Sequence, residues 1–233
     1  SLLLMLKFKI FIRNLIRKTF YQISNISWDN KIISKNQVDY IFAIEDIFNE
    51  VSEIPGHIIE LGTGKGRNAI IFGSLIHKYQ QEKFRKYFGF DTFDSFTDED
   101  LKISPHLKKA DSQKVVFHTI QEFIASNNLN KTVTLIKGDI VEKIPEFIEN
   151  KNNLYGFNKL LISLVYIDCN AYGPAIFALE KLKIFFSKDT KIVVDENTLG
   201  DETRALMDFC FKNKLQIKTT KFRNHISSYV NWK

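Results

Sequence analysis

The stretch His57-Ile58-Ile59-Glu60-Leu61-Gly62-Thr63-Gly64-Lys65-Gly66-Arg67-Asn68 begins as an apolar strand, turns on three glycines and runs into a helical pattern. Glycines permit a tight turn there and let backbone N–H groups approach a ligand closely at the start of a helix. The dinucleotide fingerprint needs its third glycine one place further on, where Arg67 stands, and the phosphate-loop pattern Gly-x-x-x-x-Gly-Lys-Ser/Thr is absent. Nicotinamide and ATP are therefore poorly served. Glu60, two places before the first glycine, suits instead a ligand carrying a positive charge and an amino group, such as S-adenosylmethionine.

From residue 56 onward, strand-like runs at 57–61, 87–91, 132–136, 160–168, 191–195, 215–220 and 226–232 alternate with helical patterns at 68–79, 112–126, 141–149, 174–186 and 202–213. This alternation predicts an α/β fold, a mostly parallel seven-stranded sheet with helices on both faces and right-handed crossovers. The last two runs lie close together in sequence and suit an antiparallel edge. Ligands of such sheets bind beyond the carboxyl ends of the strands. Those ends are acidic here, since Glu60, Asp91, Asp168, Asp195 and Glu196 each close an apolar run. Any one of them serves equally well as a helix N-cap or turn residue. Several converging on one sheet edge would suppress one another's ionisation unless a cation or hydrogen-bond donors compensate. Asp91, ending the second strand, is placed to accept both ribose hydroxyls of a nucleoside. Asp139, in Lys137-Gly138-Asp139-Ile140 after the third strand, either receives an adenine amino group or is a simple turn residue.

With these pieces in this order, residues 38–233 resemble the class I S-adenosylmethionine-dependent methyltransferases, and within them the macrocin O-methyltransferase-like sugar O-methyltransferases. The resemblance is carried by Pro55-Gly56-His57-Ile58-Ile59-Glu60-Leu61-Gly62, Gly89-Phe90-Asp91-Thr92-Phe93-Asp94, Leu164-Val165-Tyr166-Ile167-Asp168-Cys169-Asn170-Ala171-Tyr172 and Ile192-Val193-Val194-Asp195-Glu196. It implies a Rossmann-like methyltransferase fold. It also implies cofactor contacts from Glu60, Gly62, Thr63, Gly64, Gly66, Asn68, Asp91, Thr92, Gly138 and Asp139, a catalytic Asp168, and a Mg²⁺ site of Asp168, Asp195 and Glu196. The chain departs from the family pattern at Asn170, which is neutral where Asp-x-Asp-x-Tyr is usual, and at Glu196, which replaces the second residue of an Asp-Asp pair. Asp189-Thr190 likewise stands where Gly-Gly usually precedes that strand.

The chemistry of that acidic trio is coherent. A hard cation such as Mg²⁺ takes oxygen ligands in octahedral geometry and keeps waters or substrate oxygens among them. A substrate diol would complete the shell, and the cation would lower its hydroxyl pKa toward neutrality. Attack on a sulfonium methyl then depends mainly on alignment. Asp168 serves either as ligand or as the base that removes the hydroxyl proton. The expected function is S-adenosylmethionine-dependent O-methylation of a sugar or other polyhydroxylated small molecule, assisted by Mg²⁺.

Composition bounds the alternatives. The 233 residues, 44% of them apolar and 26% charged, exclude disorder and fit one domain with an appendage. The net charge of +6 makes a nucleic-acid methyltransferase the second reading, although no Asn-Pro-Pro-Tyr-type base-flipping motif is present and no nucleic-acid partner is expected. A third reading is a non-catalytic cofactor-binding or membrane-associated protein whose metal site has decayed through Asn170 and Glu196. Cys169 and Cys210 sit in apolar surroundings and cannot form a disulfide framework, which fits a reducing, cytoplasmic setting. The five histidines lack ligand spacing, with His106 in the polar stretch 92–111 the exception worth testing; a connection of that length is often a lid. Residues 1–37 form a separate appendage in which Phe8, Phe11, Ile12, Leu15 and Ile16 share a helical face opposite Lys9, Arg13, Arg17 and Lys18. That basic amphipathic helix either lies peripherally on a membrane surface or packs on its own domain or a second subunit, and its charges exclude a membrane span.

Overall fold

The computed structural model describes residues 34–104, 107, 114–155, 160–195, 200–219 and 226–233, without the side chains of 114–116, 151–155 and 226–227. The expected amphipathic helix over 8–18, His106 and Glu196 lie outside the described residues. The chain divides into two compact units, Ser1–Val38 and Asp39–Lys233. Among the described residues no helix is long and apolar enough to cross a membrane.

Seven strands form one sheet: β1 (His57–Leu61), β2 (Tyr87–Asp91), β3 (Val133–Lys137), β4 (Ile162–Ile167), β5 (Phe186–Asp195), β6 (Lys218–Thr219) and β7 (Ile226–Asn231). Their order is β3-β2-β1-β4-β5-β7-β6. The first five pair in parallel, while β7 runs antiparallel to both β5 and β6 and so makes the expected antiparallel edge. The order reverses between β1 and β4, and this switch is where ligands of open α/β sheets bind. Helices α1 (Lys35–Val51), α2 (Arg67–Lys78), α3 (Asp98–Ile103), α4 (Lys114–Ser126), α5 (Ile140–Tyr155), α6 (Tyr172–Leu182) and α7 (Asp201–Asn213) complete the architecture. The expected helix over 141–149 continues to Tyr155 despite Pro145, and that over 174–186 ends at Leu182, followed by a single 3₁₀ turn at Lys183–Phe185.

Period-two alternation sorts each central strand between two apolar layers. Ile59, Leu61, Phe88, Phe90, Val165, Ile167, Ile192 and Val194 pack with Ile144 and Phe147 of α5, Leu179 of α6 and Phe209 of α7. The alternate residues turn to the opposite face, where Phe72 of α2 stacks with Tyr87 and meets Tyr166 edge-on, each at 6.0 Å between centroids. Glu60 and Asp195 share this second face with the two tyrosines, as their hydrogen bonds show.

The sequence reading assigned no element to 38–56, yet α1 fills most of it. Its apolar residues Tyr40, Ile44, Ile47, Phe48 and Val51 recur at helical spacing and are buried. Arg85 secures the helix end: its guanidinium, 1% exposed, donates to the carbonyls of Val51 at 3.1 Å, Ser52 at 3.2 Å and Ile54 at 2.7 Å. These bonds add to the Ile54 N–H on the Val51 carbonyl and the Gln81 amide on the Ser52 carbonyl, so the carbonyls at and after the helix end are well satisfied.

Gly62 is where β1 and β4 meet most tightly. Its φ of +91° favours glycine, and a Cβ there would overlap the backbone of Asp168 and Cys169. Gly62→Ala is expected to destabilise the protein by about 2–3 kcal/mol, because neither backbone can give way. A thermal melt of the variant beside the wild type reads this as a drop of several degrees; an unchanged melting temperature would contradict the close seating.

Candidate active site

A cavity of about 220 Å³ opens at the carboxyl end of the sheet, lined by Gly62 and Gly64 after β1, Asp91 and Thr92 after β2, Asp139 before α5, and Asp168 after β4. Six of the expected site residues therefore meet in one space. The stretch expected to be a lid contributes Asp94, Phe96 and Asp100 to the same wall, and Cys169 to Ala171 and Pro174 close the far side. Five lining side chains are aspartates, so the cavity favours a cationic ligand.

The glycine loop is held by its own backbone and by Asp91. Gly62 N–H donates to the Phe90 carbonyl at 2.8 Å, and Gly66, with φ of +76°, occupies the N-cap of α2. Asp91 accepts from Gly64 N–H at 2.7 Å on one oxygen and from Phe93 N–H at 2.6 Å on the other. Each carboxylate oxygen has a further lone pair, so this anchoring fixes Asp91 without exhausting it. Asp139 has the turn role expected of it. Its Oδ1 accepts from Val141 N–H at 2.8 Å as the N-cap of α5, and the residue also lines the cavity.

Glu60, Thr63, Gly66, Asn68, Gly138 and Asp195 are not among the residues lining the cavity. Glu60 lies beneath the loop, fully buried, accepting from Asn68 Nδ2 at 2.6 Å and from the Tyr87 hydroxyl. Burial pushes its carboxyl up to about 7 against the opposing effect of those two hydrogen bonds. Gly138 supports Asp91 instead, donating its N–H to the Asp91 carbonyl at 2.9 Å.

Asp168 and Asp195 share a low-dielectric corner. The carboxyl of Asp168 is pushed up to about 9, by burial first and then by the charges of Asp195, Glu202 and Glu60, with Arg67 opposing. Asp195 is 7% exposed, and its Oδ2 accepts from the hydroxyls of Tyr166 at 2.8 Å and Tyr40 at 2.9 Å. Its Oδ1 is buried with no hydrogen-bond partner among the described residues. No group of three or more His, Cys, Asp or Glu poised for a metal occurs among the described residues. Glu196, the third member of the expected trio, lies outside them.

Several residues that shape this region were not anticipated. Tyr40 and Tyr166 reach Asp195 from α1 and β4, and burial raises the pKa of both so that they remain neutral hydroxyls. Glu202, at the start of α7, accepts the Asn170 N–H at 2.6 Å. That bond holds Asn170 at φ +59°, a left-handed conformation asparagine tolerates, which gives the neutral residue a backbone role. Asp100 caps its own helix in a reciprocal box with Thr97, the pattern Thr-x-x-Asp.

The family model of macrocin-O-methyltransferase (TylF) matches residues 31–230. No curated protein sequence matches the chain significantly. Among solved structures the chain is similar to CalS11, a calicheamicin methyltransferase, at 19% identity and a TM-score of 0.73, over 93% of this chain and 92% of that one. An apo structure of CalS11, described as a TDP-rhamnose 3'-O-methyltransferase, superposes at 18% identity and a TM-score of 0.65, over 93% and 94% of the two chains. The O-methyltransferase NovP follows at 14% identity and a TM-score of 0.64, over 88% and 84%. At these identities the structures speak for the shared fold.

Proposed function

The chain belongs to the macrocin-O-methyltransferase (TylF) family and is an S-adenosylmethionine-dependent O-methyltransferase; from that premise we propose that it methylates a hydroxyl of a sugar, assisted by Mg²⁺, at the cavity containing Asp168. The observation that carries this reading is the meeting of Asp168 with Gly62, Gly64, Asp91 and Asp139 in one acidic cavity. Asp91, Asp94, Asp100 and Asp139 there complement the positive sulfonium and ammonium groups of the cofactor.

Each residue has a defined task. Asp91 accepts the ribose hydroxyls with its remaining lone pairs, the loop from Gly62 to Gly66 brings backbone against the cofactor, and Asp139 accepts the adenine amino group. Glu60, with Asn68 beside it, fixes the loop from beneath, and its charge when ionised acts on the cofactor's ammonium group through the loop rather than by contact. Thr63, Thr92 and Gly138 keep the loop and the ribose strand in place. Asp168 takes the proton of the attacking hydroxyl, and the cavity walls align that oxygen with the methyl carbon. The raised proton affinity of Asp168 equips it to act as a base.

Asp168 and Asp195 offer hard oxygen donors, and the buried Oδ1 of Asp195 without a hydrogen-bond partner among the described residues fits a divalent cation. Glu196 follows directly in sequence as a third donor. Bound there, Mg²⁺ would lower the pKa of the substrate hydroxyl.

Isothermal titration with S-adenosylmethionine and S-adenosylhomocysteine tests the cofactor assignment. Saturable binding of both is expected, with no heat from NAD or ATP; binding of either nucleotide in place of the sulfonium cofactor would overturn the site assignment.

A further inference from the structure

Beneath the cavity, one hydroxyl gathers four segments of the chain. Tyr40 is 3% exposed, and Arg67 caps its ring with the guanidinium 3.7 Å from the centroid. Its oxygen lies 2.9 Å from Asp195 Oδ2, 2.9 Å from Asn68 Oδ1 and 3.0 Å from the Tyr166 hydroxyl. The orientation of Asn68 is settled by its other end, where Nδ2 donates to Glu60 Oε1 at 2.6 Å. A continuous path of hydrogen bonds thus runs from Glu60 through Asn68 and Tyr40 to Asp195.

Two features of that path bear on function. Tyr40 and Tyr166 both converge on Oδ2 of Asp195, which fixes the carboxylate plane and leaves Oδ1 without a hydrogen-bond partner among the described residues. A tyrosine hydroxyl also carries a single proton, so Tyr40 divides one donor between Asp195 and Asn68. Whatever draws charge from Asp195 changes what Asn68 receives, and Asn68 touches Glu60.

We propose that Tyr40 is a positioning residue of the transfer site: its hydroxyl holds Asp195 so that Oδ1 is left for a divalent cation, and it links that carboxylate through Asn68 to Glu60. The proposal rests on the cation reading given above. Partners that orient a metal ligand in this way typically contribute ten- to a hundredfold to affinity.

The test uses the full chain treated with chelator, Mn²⁺ as the probe, and paramagnetic resonance to count free and bound ion in the presence of saturating S-adenosylhomocysteine. The wild type is expected to bind Mn²⁺, and Tyr40→Phe to bind it at least about tenfold more weakly, while affinity for S-adenosylhomocysteine without metal falls far less. Tyr166→Phe removes the other donor to Oδ2 and is expected to weaken Mn²⁺ comparably, so it decides the matter if the first variant fails to fold. Equal Mn²⁺ affinity in wild type and variant overturns the role of Tyr40 and leaves the cation in place. A wild type that binds S-adenosylhomocysteine but no Mn²⁺ overturns the cation reading, and this proposal with it.

Discussion

Asp168→Asn is expected to lower methyl transfer by about 10³-fold, within the 10²–10⁴ that a positioned general base contributes, while S-adenosylhomocysteine affinity stays close to wild type. The substitution keeps the side chain's shape and removes its proton affinity, and the Asp168 amide that donates to the Leu61 carbonyl at 2.7 Å is untouched. Single-turnover transfer of a radiolabelled methyl group to the sugar the wild type accepts is the measurement; a variant retaining wild-type turnover would remove Asp168 from the mechanism. The pH profile carries a second signature. A base works only when deprotonated, and the Asp168 carboxyl is pushed up to about 9, so in metal-depleted enzyme the rate should climb with pH toward that value. Added Mg²⁺ should shift the rise to lower pH, because a cation favours the ionised carboxylate.

Glu60→Gln should weaken cofactor binding through loss of the buried charge beneath the loop rather than of a direct contact, yet stabilise the ligand-free protein at alkaline pH. Glu60 is fully buried with its pKa pushed up from 4.5 to about 7. The folded state therefore binds more protons than the unfolded state between these values, and stability falls as pH rises through them. Above about pH 7 the folded wild type holds an ionised carboxylate in an apolar setting, a cost of order 1–3 kcal/mol that glutamine removes. Melting curves at pH 5 and pH 8 should nearly coincide for the two proteins at the lower pH and separate at the higher, with the variant more stable. Lower stability of the variant at pH 8 would mean that the bonds from Asn68 and Tyr87 outweigh the burial of charge.

Much of the fold was legible because the central strands carry strong local signals. β1 and β2 are apolar runs that end where the sequence places Glu60-Leu61-Gly62 and Asp91, and both matched residue for residue. The ends of β4 and β5 were equally visible through Asp168 and Asp195. Helix α1 was missed although Ile44, Ile47, Phe48 and Val51 follow a helical period, because it precedes the strand-helix alternation that framed the reading. The expected trio of Asp168, Asp195 and Glu196 was read from strand ends alone, and among the described residues no group of three such side chains is poised for a metal. Strand ends show that acids arrive at one edge, while the tyrosine donors that share Asp195 lie far away in sequence and carry no motif. The short α3 announced itself only through Thr97 and Asp100, a pattern too brief to separate from a polar loop.

The seating of Gly62 against the Asp168 backbone also orders events in time. Parallel strands need long crossovers, and closing such loops is slow compared with forming a helix. Neither the glycine turn nor the aspartate can reach its final position until β1 and β4 zip together in register, with Asp168 N–H on the Leu61 carbonyl. Helices and the β1–β2–β3 half can collect earlier, but the cavity wall that Asp168 to Ala171 supply is then still missing. During refolding, full competence to hold the cofactor should therefore arrive late, once β4 has joined β1 and brought Asp168 to the cavity.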